Sequence, residues 1–180
     1  MGATQALKAI LVDAAVLPIM PYQGKDACKL LEDDGNYSFM IRDLPSDTLV
    51  VKCDQFPSTK DVFFKSEHKE CKRADYVLVS ESNKVIMYFE LKHSNKSASS
   101  KDIIAQLKGA KCVVDYIQSI AMQFLGEPTI FADYTHLYYK GIIKAPRKRS
   151  FSKTEILNTS PELPRTLAGS FAAFGHLLNG

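Results

Sequence analysis

The sequence lacks several features that mark common classes of protein. It has 180 residues, no tryptophan and four cysteines, which are Cys28, Cys53, Cys71 and Cys112. The cysteines are far apart and form no CxxC pair, so we do not expect a disulfide framework. His68 and Cys71 have a separation that zinc ligands use, but the chain offers no second matching pair. We therefore expect reduced, partly buried thiols.

Long apolar runs and a strong charge of one sign are also missing. No segment approaches the roughly 18 uninterrupted apolar residues of a membrane-spanning helix, and Lys8 and Asp13 interrupt the N-terminal apolar run, unlike a signal peptide. The absence of a glycine-rich phosphate loop disfavours P-loop nucleotide hydrolysis. The net charge is +3, with 46% hydrophobic and 24% charged residues, which is typical of globular proteins. We expect one cytoplasmic domain without a membrane partner.

Hydrophobic periodicity predicts a mixture of helices and strands. Apolar residues at steps of three and four predict helices over 4–16, 25–32, 101–125 and 167–178, of which 101–125 is the most strongly amphipathic. Strands are predicted over 37–42, 48–54, 75–80, 85–92 and 136–145, with turns at 44–47 and 81–84. This order predicts an α/β fold in which a central mixed sheet is flanked by helices.

The strand predicted over 85–92 changes character at its C-terminal end. Because side chains alternate along a strand, one face carries Ile86, Tyr88, Glu90 and Lys92. Both faces are otherwise apolar, which favours a central position in the sheet. A carboxylate and an ammonium therefore follow two buried positions on the same face. Burial of such a pair is costly unless a ligand or partner uses it.

Asp75 stands at the start of the neighbouring predicted strand. In a hairpin the start of one strand lies beside the end of its partner, so Asp75 and Glu90 should meet at one end of the sheet. Two adjacent carboxylates repel each other, and a divalent cation relieves that repulsion. Oxygen ligands suit Mg²⁺ or Mn²⁺, and the backbone carbonyl of Leu91 can supply a further ligand.

These residues resemble the PD-(D/E)XK nuclease superfamily. The match consists of Ala74-Asp75, in which alanine replaces the proline of the motif, and of Glu90-Leu91-Lys92. The order of hairpin, loop, long helix and strand also matches, over about 25–144. The resemblance implies a restriction-endonuclease-like core over about 25–145 with a C-terminal tail over 146–180. It also implies Mg²⁺-dependent hydrolysis of phosphodiester bonds, in DNA more than in RNA, by an endonuclease or an exonuclease.

The resemblance also assigns roles to residues. Asp75 and Glu90 would hold the metal, and Lys92 would orient or activate the attacking water and stabilise charge on the scissile phosphate. Gln106 is the candidate for the polar residue that many members carry on the following helix, and Glu32 for the glutamate of the first core helix. The chain lacks the tyrosine spacing of the RecB-like branch, so no subfamily is assigned.

Basic residues supply candidate contacts with nucleic acid. Lys101 and Lys108 lie on the long predicted helix, and Arg147, Lys148 and Arg149 lie in a basic loop after the last predicted strand. Lysine and arginine clusters contact backbone phosphates, although a solvated helix face and a solvated loop remain open. Many nucleases of this fold dimerise, which makes a homodimer or a larger complex a candidate assembly.

Several alternatives stay open from the residues alone. Glu90 and Lys92 could form an ordinary exposed ion pair, which stabilises a protein little. The same scaffold could bind nucleic acid without cleaving it, or serve as a protein-interaction subunit that docks through the apolar segment 167–178. His93 could assist proton transfer or be a loop histidine.

A short aromatic stretch in the last predicted strand has two interpretations. Tyr138, Tyr139 and Lys140 could line a groove for nucleic acid, or the tyrosines could pack in the core with Lys140 near an edge of the sheet. Of the two, we favour core packing with an edge position.

Overall fold

The computed structural model describes residues 1–32, 37–93, 99–143 and 158–179. Within these ranges the helices are α1 (Ala3–Ile10), α2 (Ser100–Phe124) and α3 (Phe174–Leu178). The strands are β1 (Met20–Tyr22), β2 (Lys25–Glu32), β3 (Tyr37–Leu44), β4 (Thr48–Lys52), β5 (Tyr76–Ser80), β6 (Val85–Lys92), β7 (Thr135–Ile142), β8 (Arg165–Ala168) and β9 (Phe171–Ala173). Short 3₁₀ helices cover Asp13–Ala15 and Cys53–Gln55.

Five strands form the main sheet, in the order β4-β5-β6-β7-β8. The pairs β4/β5 and β5/β6 are antiparallel, whereas β6/β7 and β7/β8 are parallel. The predicted mixed sheet is therefore confirmed, and so is the central position of β6. The long helix α2 makes the crossover from β6 to β7, as a parallel connection requires.

The two faces of the main sheet are covered differently. One face packs against α1 and α2 and forms the helix-side core, to which β6 contributes Ile86 and Tyr88. The other face packs against a second sheet, in the order β1-β2-β3-β9, and forms the inter-sheet core, to which β6 contributes Met87 and Phe89. Helices thus flank one face of the main sheet, and a second mixed sheet covers the other.

The helix predicted over 25–32 is wrong, because this segment is the strand β2. Cys28 and Leu30 are buried while Lys29 and Leu31 are exposed, an alternation that belongs to a strand. Pairing with β3 along the whole segment decides its conformation. Glu32, which the resemblance placed on a first core helix, is the last residue of this strand instead.

The helix predicted over 167–178 is also largely wrong. The segment begins in β8, turns at Gly169, where φ is +96°, continues as β9 and ends in the short helix α3. β8 extends the main sheet, and β9 pairs in parallel with β3 in the second sheet. Leu167, Phe174 and Leu177 are buried in the inter-sheet core, so these apolar side chains pack within the chain itself.

The elements nearest the candidate site follow the predictions closely. The hairpin of β5 and β6 is confirmed, with β6 at its predicted bounds. The long helix is confirmed, and Ser99 caps it by accepting a hydrogen bond from the backbone N–H of Asp102 at 3.1 Å. The strands on either side of the turn at 44–47 also exist, but β3 belongs to the second sheet and β4 to the main sheet.

The Tyr76 hydroxyl joins the two sheets, because it donates to the backbone carbonyl of Leu31 and accepts from the Leu31 N–H at 3.0 Å.

Among the described helices, none has both the length and the apolar character that crossing a bilayer requires.

Candidate functional site

The candidate site lies at the end of the β5–β6 hairpin. Tyr76 pairs with Phe89, so Asp75, one residue before β5, comes level with Glu90. Tyr76 and Phe89 both point into the inter-sheet core. Because side chains alternate, Asp75 and Glu90 lie on the opposite face, toward α2. The hairpin therefore brings the two predicted carboxylates to the same end and the same face of the sheet.

The Asp75 side chain is fixed by the backbone of its neighbour strand. Its Oδ2 accepts a hydrogen bond from the Leu91 N–H at 2.7 Å. The Asp75 backbone carbonyl accepts a hydrogen bond from the Cys53 N–H at 2.8 Å. The side chain thus adds one hydrogen bond beyond the last paired residues of the hairpin. This bond keeps the Asp75 carboxylate beside the C-terminal end of β6.

Glu90 is a buried carboxylate in contact with a lysine. Its exposed fraction is 0%, and neither carboxylate oxygen accepts a hydrogen bond of regular geometry from the described residues. The Lys92 ammonium forms a close ion pair with Oε1, and the Lys92 side chain is 16% exposed. An exposed, weakly stabilising surface pair is therefore not what the structure contains.

The surroundings of Glu90 raise the pKa of its carboxyl. Burial is the main cause that raises the pKa of this carboxyl, to about 8, and the charge of Asp75 raises it further. The Lys92 ammonium and the Gln106 side chain act in the opposite direction and lower the pKa. A carboxyl that resists ionisation beside another acid is a position where a cation can take the place of a proton.

Gln106 reaches this site from α2, and the helix is held close to it. An added Cβ on Gly109 would lie 1.6 Å from the Lys72 backbone oxygen, so only glycine permits this approach to the segment before Asp75. Asp102 strengthens the same contact, since its carboxylate lies 2.6 Å from the Lys72 ammonium. The structure therefore brings Asp75, Glu90 and Lys92 together, and Gln106 on α2 is close enough to lower the pKa of Glu90.

The ligands available here suit a hard divalent cation. The set comprises two carboxylates, the Gln106 amide and the Leu91 carbonyl, and Glu90 has buried oxygens without regular hydrogen bonds. Mg²⁺ is usually held by one or two carboxylates and keeps several waters, so the residues present fit that ion. Across the described residues, no group of three or more His, Cys, Asp or Glu side chains is placed to hold a metal.

The residues predicted to contact nucleic acid differ in their surroundings. Lys101 is exposed on α2, whereas the Lys108 ammonium lies 2.7 Å from the Glu162 carboxylate. A phosphate contact by Lys108 would have to compete with that ion pair. The predicted contacts at Arg147, Lys148 and Arg149 lie outside the described residues.

His93 follows Lys92 but is occupied by an aromatic contact. Its ring lies 4.1 Å from the Tyr37 ring, centroid to centroid, with an angle of 33° between the planes. This contact ties the end of β6 to the start of β3. The arrangement supports a packing role for His93 rather than proton transfer.

Lys140 lies beside the candidate site, which its sequence context did not indicate. Tyr138 and Tyr139 are buried, with exposed fractions of 3% and 0%, as core packing requires. Lys140, however, pairs with Glu90 across the parallel strands. It shares the helix-side face with Tyr138, because Tyr139 points into the inter-sheet core. The alternation of side chains along β7 indicates that Lys140 and Tyr138 share a face. Only the register with β6 shows that Lys140 lies beside Glu90.

Comparison of the chain with protein-family models, with curated proteins and with solved structures found no match.

Proposed function

We propose that this protein is a Mg²⁺-dependent nuclease with a restriction-endonuclease-like core, which hydrolyses phosphodiester bonds in nucleic acid, DNA in preference to RNA. The observation that carries the proposal is the buried Glu90 carboxylate, set beside Asp75 and in contact with the Lys92 ammonium. Asp75 and Glu90 would hold the ion, with the Leu91 carbonyl as a further ligand.

The residues divide the chemistry in a simple way. A bound divalent ion supplies a reactive water at neutral pH and neutralises charge on the phosphate. Asp75 is oriented by the Leu91 N–H, so its carboxylate is positioned before the ion arrives. Once a cation competes for Glu90, the Lys92 ammonium is available to the attacking water or to the negative charge that develops on the phosphate.

The order of elements around the site also supports the proposal. The hairpin of β5 and β6, the long helix α2 and the parallel strand β7 occur in the order that the resemblance implies. Gln106 lies on α2 and lowers the pKa of Glu90. The resemblance implies a polar residue at this place on the helix. A homodimer would let two such sites act on the two strands of a duplex, and we propose a cytoplasmic location.

Cleavage of supercoiled plasmid and of a single-stranded oligonucleotide tests the proposal. Each substrate is incubated with the full chain in Mg²⁺, Mn²⁺ or EDTA. The variants are Asp75→Asn, which keeps an acceptor for the Leu91 N–H, Glu90→Gln and Lys92→Met. Each should lower the rate by about a hundredfold or more, and EDTA should abolish cleavage. Asp133→Asn, an exposed carboxylate far along the chain, is the matched control.

Four results would contradict the proposal. Cleavage that persists in EDTA, or in Asp75→Asn at the rate of the control, would refute the metal site. Salt-sensitive binding without cleavage by any variant would indicate a binding module instead. A chain without affinity for nucleic acid would indicate a protein-interaction subunit.

A further inference from the structure

A row of polar side chains crosses the main sheet at the level of Glu90. Glu90 pairs with Lys140 on β7, and Lys140 pairs with Thr166 on β8. Tyr139 and Leu167, which precede and follow these two residues in their strands, point into the inter-sheet core. Lys140 and Thr166 therefore share the helix-side face with Glu90. Since neighbouring strands are about 4.8 Å apart, Thr166 lies roughly two strand widths from the candidate metal site.

A cavity of about 330 Å³ opens at the far end of this row. Its apolar lining consists of Ile103 and Ile104 on α2 and of Leu163 and Pro164 in the segment before β8. Ile103 is buried in the helix-side core, one helical turn before Gln106. Lys140, the strand partner of Glu90, also lines the cavity, so this residue connects the candidate metal site to the cavity. Its volume falls at the lower end of the range for small-molecule sites.

The polar side of the cavity carries one ammonium and one carboxylate that is already paired. Lys140 and Thr166 line it together with Glu162. The Glu162 carboxylate is 2.7 Å from the Lys108 ammonium, which offsets its negative charge. Among the residues that the structure describes, Lys140 forms no ion pair. The cavity thus combines an ammonium that forms no ion pair among the described residues with apolar side chains from two elements.

We propose that this cavity receives one unpaired nucleotide next to the scissile phosphate. Lys140 pairs with the phosphate of that nucleotide, and the base lies between Ile104 and Leu163. A flat base with an attached anion matches apolar side chains with a cation at one side, and because apolar burial is non-directional, such contacts do not select one base over another. A paired base does not fit a pocket of this size, so the substrate is single-stranded nucleic acid or the open end of a duplex. This inference rests on the proposed nuclease function.

Equilibrium binding in EDTA tests the inference separately from cleavage. The probe is a fluorescent single-stranded 12-mer, followed by anisotropy, with deoxyadenosine monophosphate, deoxyadenosine and inorganic phosphate as competitors. Lys140→Ala and Leu163→Asp should each weaken binding about tenfold, while Lys140→Arg should retain most of it. Leu163 is 63% exposed, so its substitution leaves folding essentially unchanged.

Matched controls lie far from the cavity. Lys84→Ala removes one positive charge at the opposite end of the main sheet, about 20 Å or more away along β6. Val62→Asp introduces an acid at an apolar residue that is 86% exposed. Both controls should stay within about twofold of the unchanged protein.

The outcomes separate the inference from the proposed function. The mononucleotide should compete better than the nucleoside or phosphate, and the single-stranded substrate should be cleaved faster than intact duplex. Cleavage by the unchanged protein, with cavity variants that bind and cleave like the controls, would overturn the inference and leave the nuclease intact. Competition by phosphate as strong as by the mononucleotide would also overturn it. Nucleotide binding that depends on Lys140 and Leu163 without any cleavage would support the cavity and overturn the nuclease.

Discussion

Replacement of Glu90 with glutamine should remove a pH-dependent loss of stability from this protein. Glu90 is fully buried, and burial together with the charge of Asp75 raises the pKa of its carboxyl to about 8. In the unfolded chain the same carboxyl ionises near its ordinary value of about 4.3. Between these two pH values the folded state therefore binds more protons than the unfolded state.

The sign and size of the effect follow from that difference. Stability falls with rising pH wherever the folded state binds more protons, so the wild-type protein loses stability between about pH 4.5 and pH 8. Each tenfold change in a protonation equilibrium is worth about 1.4 kcal/mol, which makes the loss roughly 3–5 kcal/mol in total. Glutamine resembles the protonated acid in shape and cannot ionise, so the Glu90→Gln variant should not show this loss.

Urea denaturation at a series of pH values measures the effect. The unfolding free energy of Glu90→Gln minus that of wild type should rise by about 3–5 kcal/mol between pH 4.5 and 8.5. Titrating groups that do not interact with Glu90 cancel in this difference. Millimolar Mg²⁺ or Mn²⁺ should restore stability to the wild type at pH 8, because binding to the folded state stabilises it. The reasoning is refuted if the difference is constant across this pH range.

Further predictions concern packing, the link between the sheets and thiol reactivity. Gly109→Ala should destabilise the protein by about 1–3 kcal/mol, because the new Cβ meets backbone. Gly175→Ala, which meets nothing within 4 Å, should not destabilise it in the same thermal denaturation assay. Tyr76→Phe should lower the unfolding free energy by about 1–3 kcal/mol by removing the hydroxyl that joins the sheets, and an unchanged urea midpoint would contradict this. Burial raises the pKa of the Cys28 thiol to about 12, so mass spectrometry after native alkylation at pH 8 should find the exposed Cys112 labelled well before Cys28.

The elements that carry the site were predictable because their sequence patterns have one interpretation. β6 is apolar on both faces up to Glu90, which favours a central strand. α2 keeps one apolar stripe over 25 residues and begins at a serine cap. Once these two elements and the hairpin are in place, alternation alone sets Asp75 beside Glu90.

The wrong predictions come from short segments whose patterns suit both a helix and a strand. β2 has eight residues, too few to separate a repeat of 3.6 from a repeat of 2 by apolar spacing. Its pairing with β3 decided its conformation. The apolar spacing over 167–178 predicted one helix. The turn at Gly169 instead divides this segment into the end of β8, then β9 and α3.

The sequence could not predict that Lys140 lies beside Glu90, and the reason is different. This position depends on the register between β6 and β7, and these strands are joined by a long crossover that contains α2. A hairpin turn fixes register locally, but a parallel crossover fixes it through packing of the helix on the sheet. Gly109, which sets how closely α2 approaches the segment before Asp75, is one of the residues that determine this packing.

The most direct test of the account is a crystal structure of the protein with Mn²⁺, in which anomalous scattering locates the ion. We predict a single ion coordinated by the carboxylates of Asp75 and Glu90 and by the Leu91 carbonyl, with oxygen distances of about 2.0–2.3 Å. Lys92 should then have moved away from Glu90. Absence of an ion at this position, with Glu90 still paired to Lys92 in saturating Mn²⁺, would contradict the account.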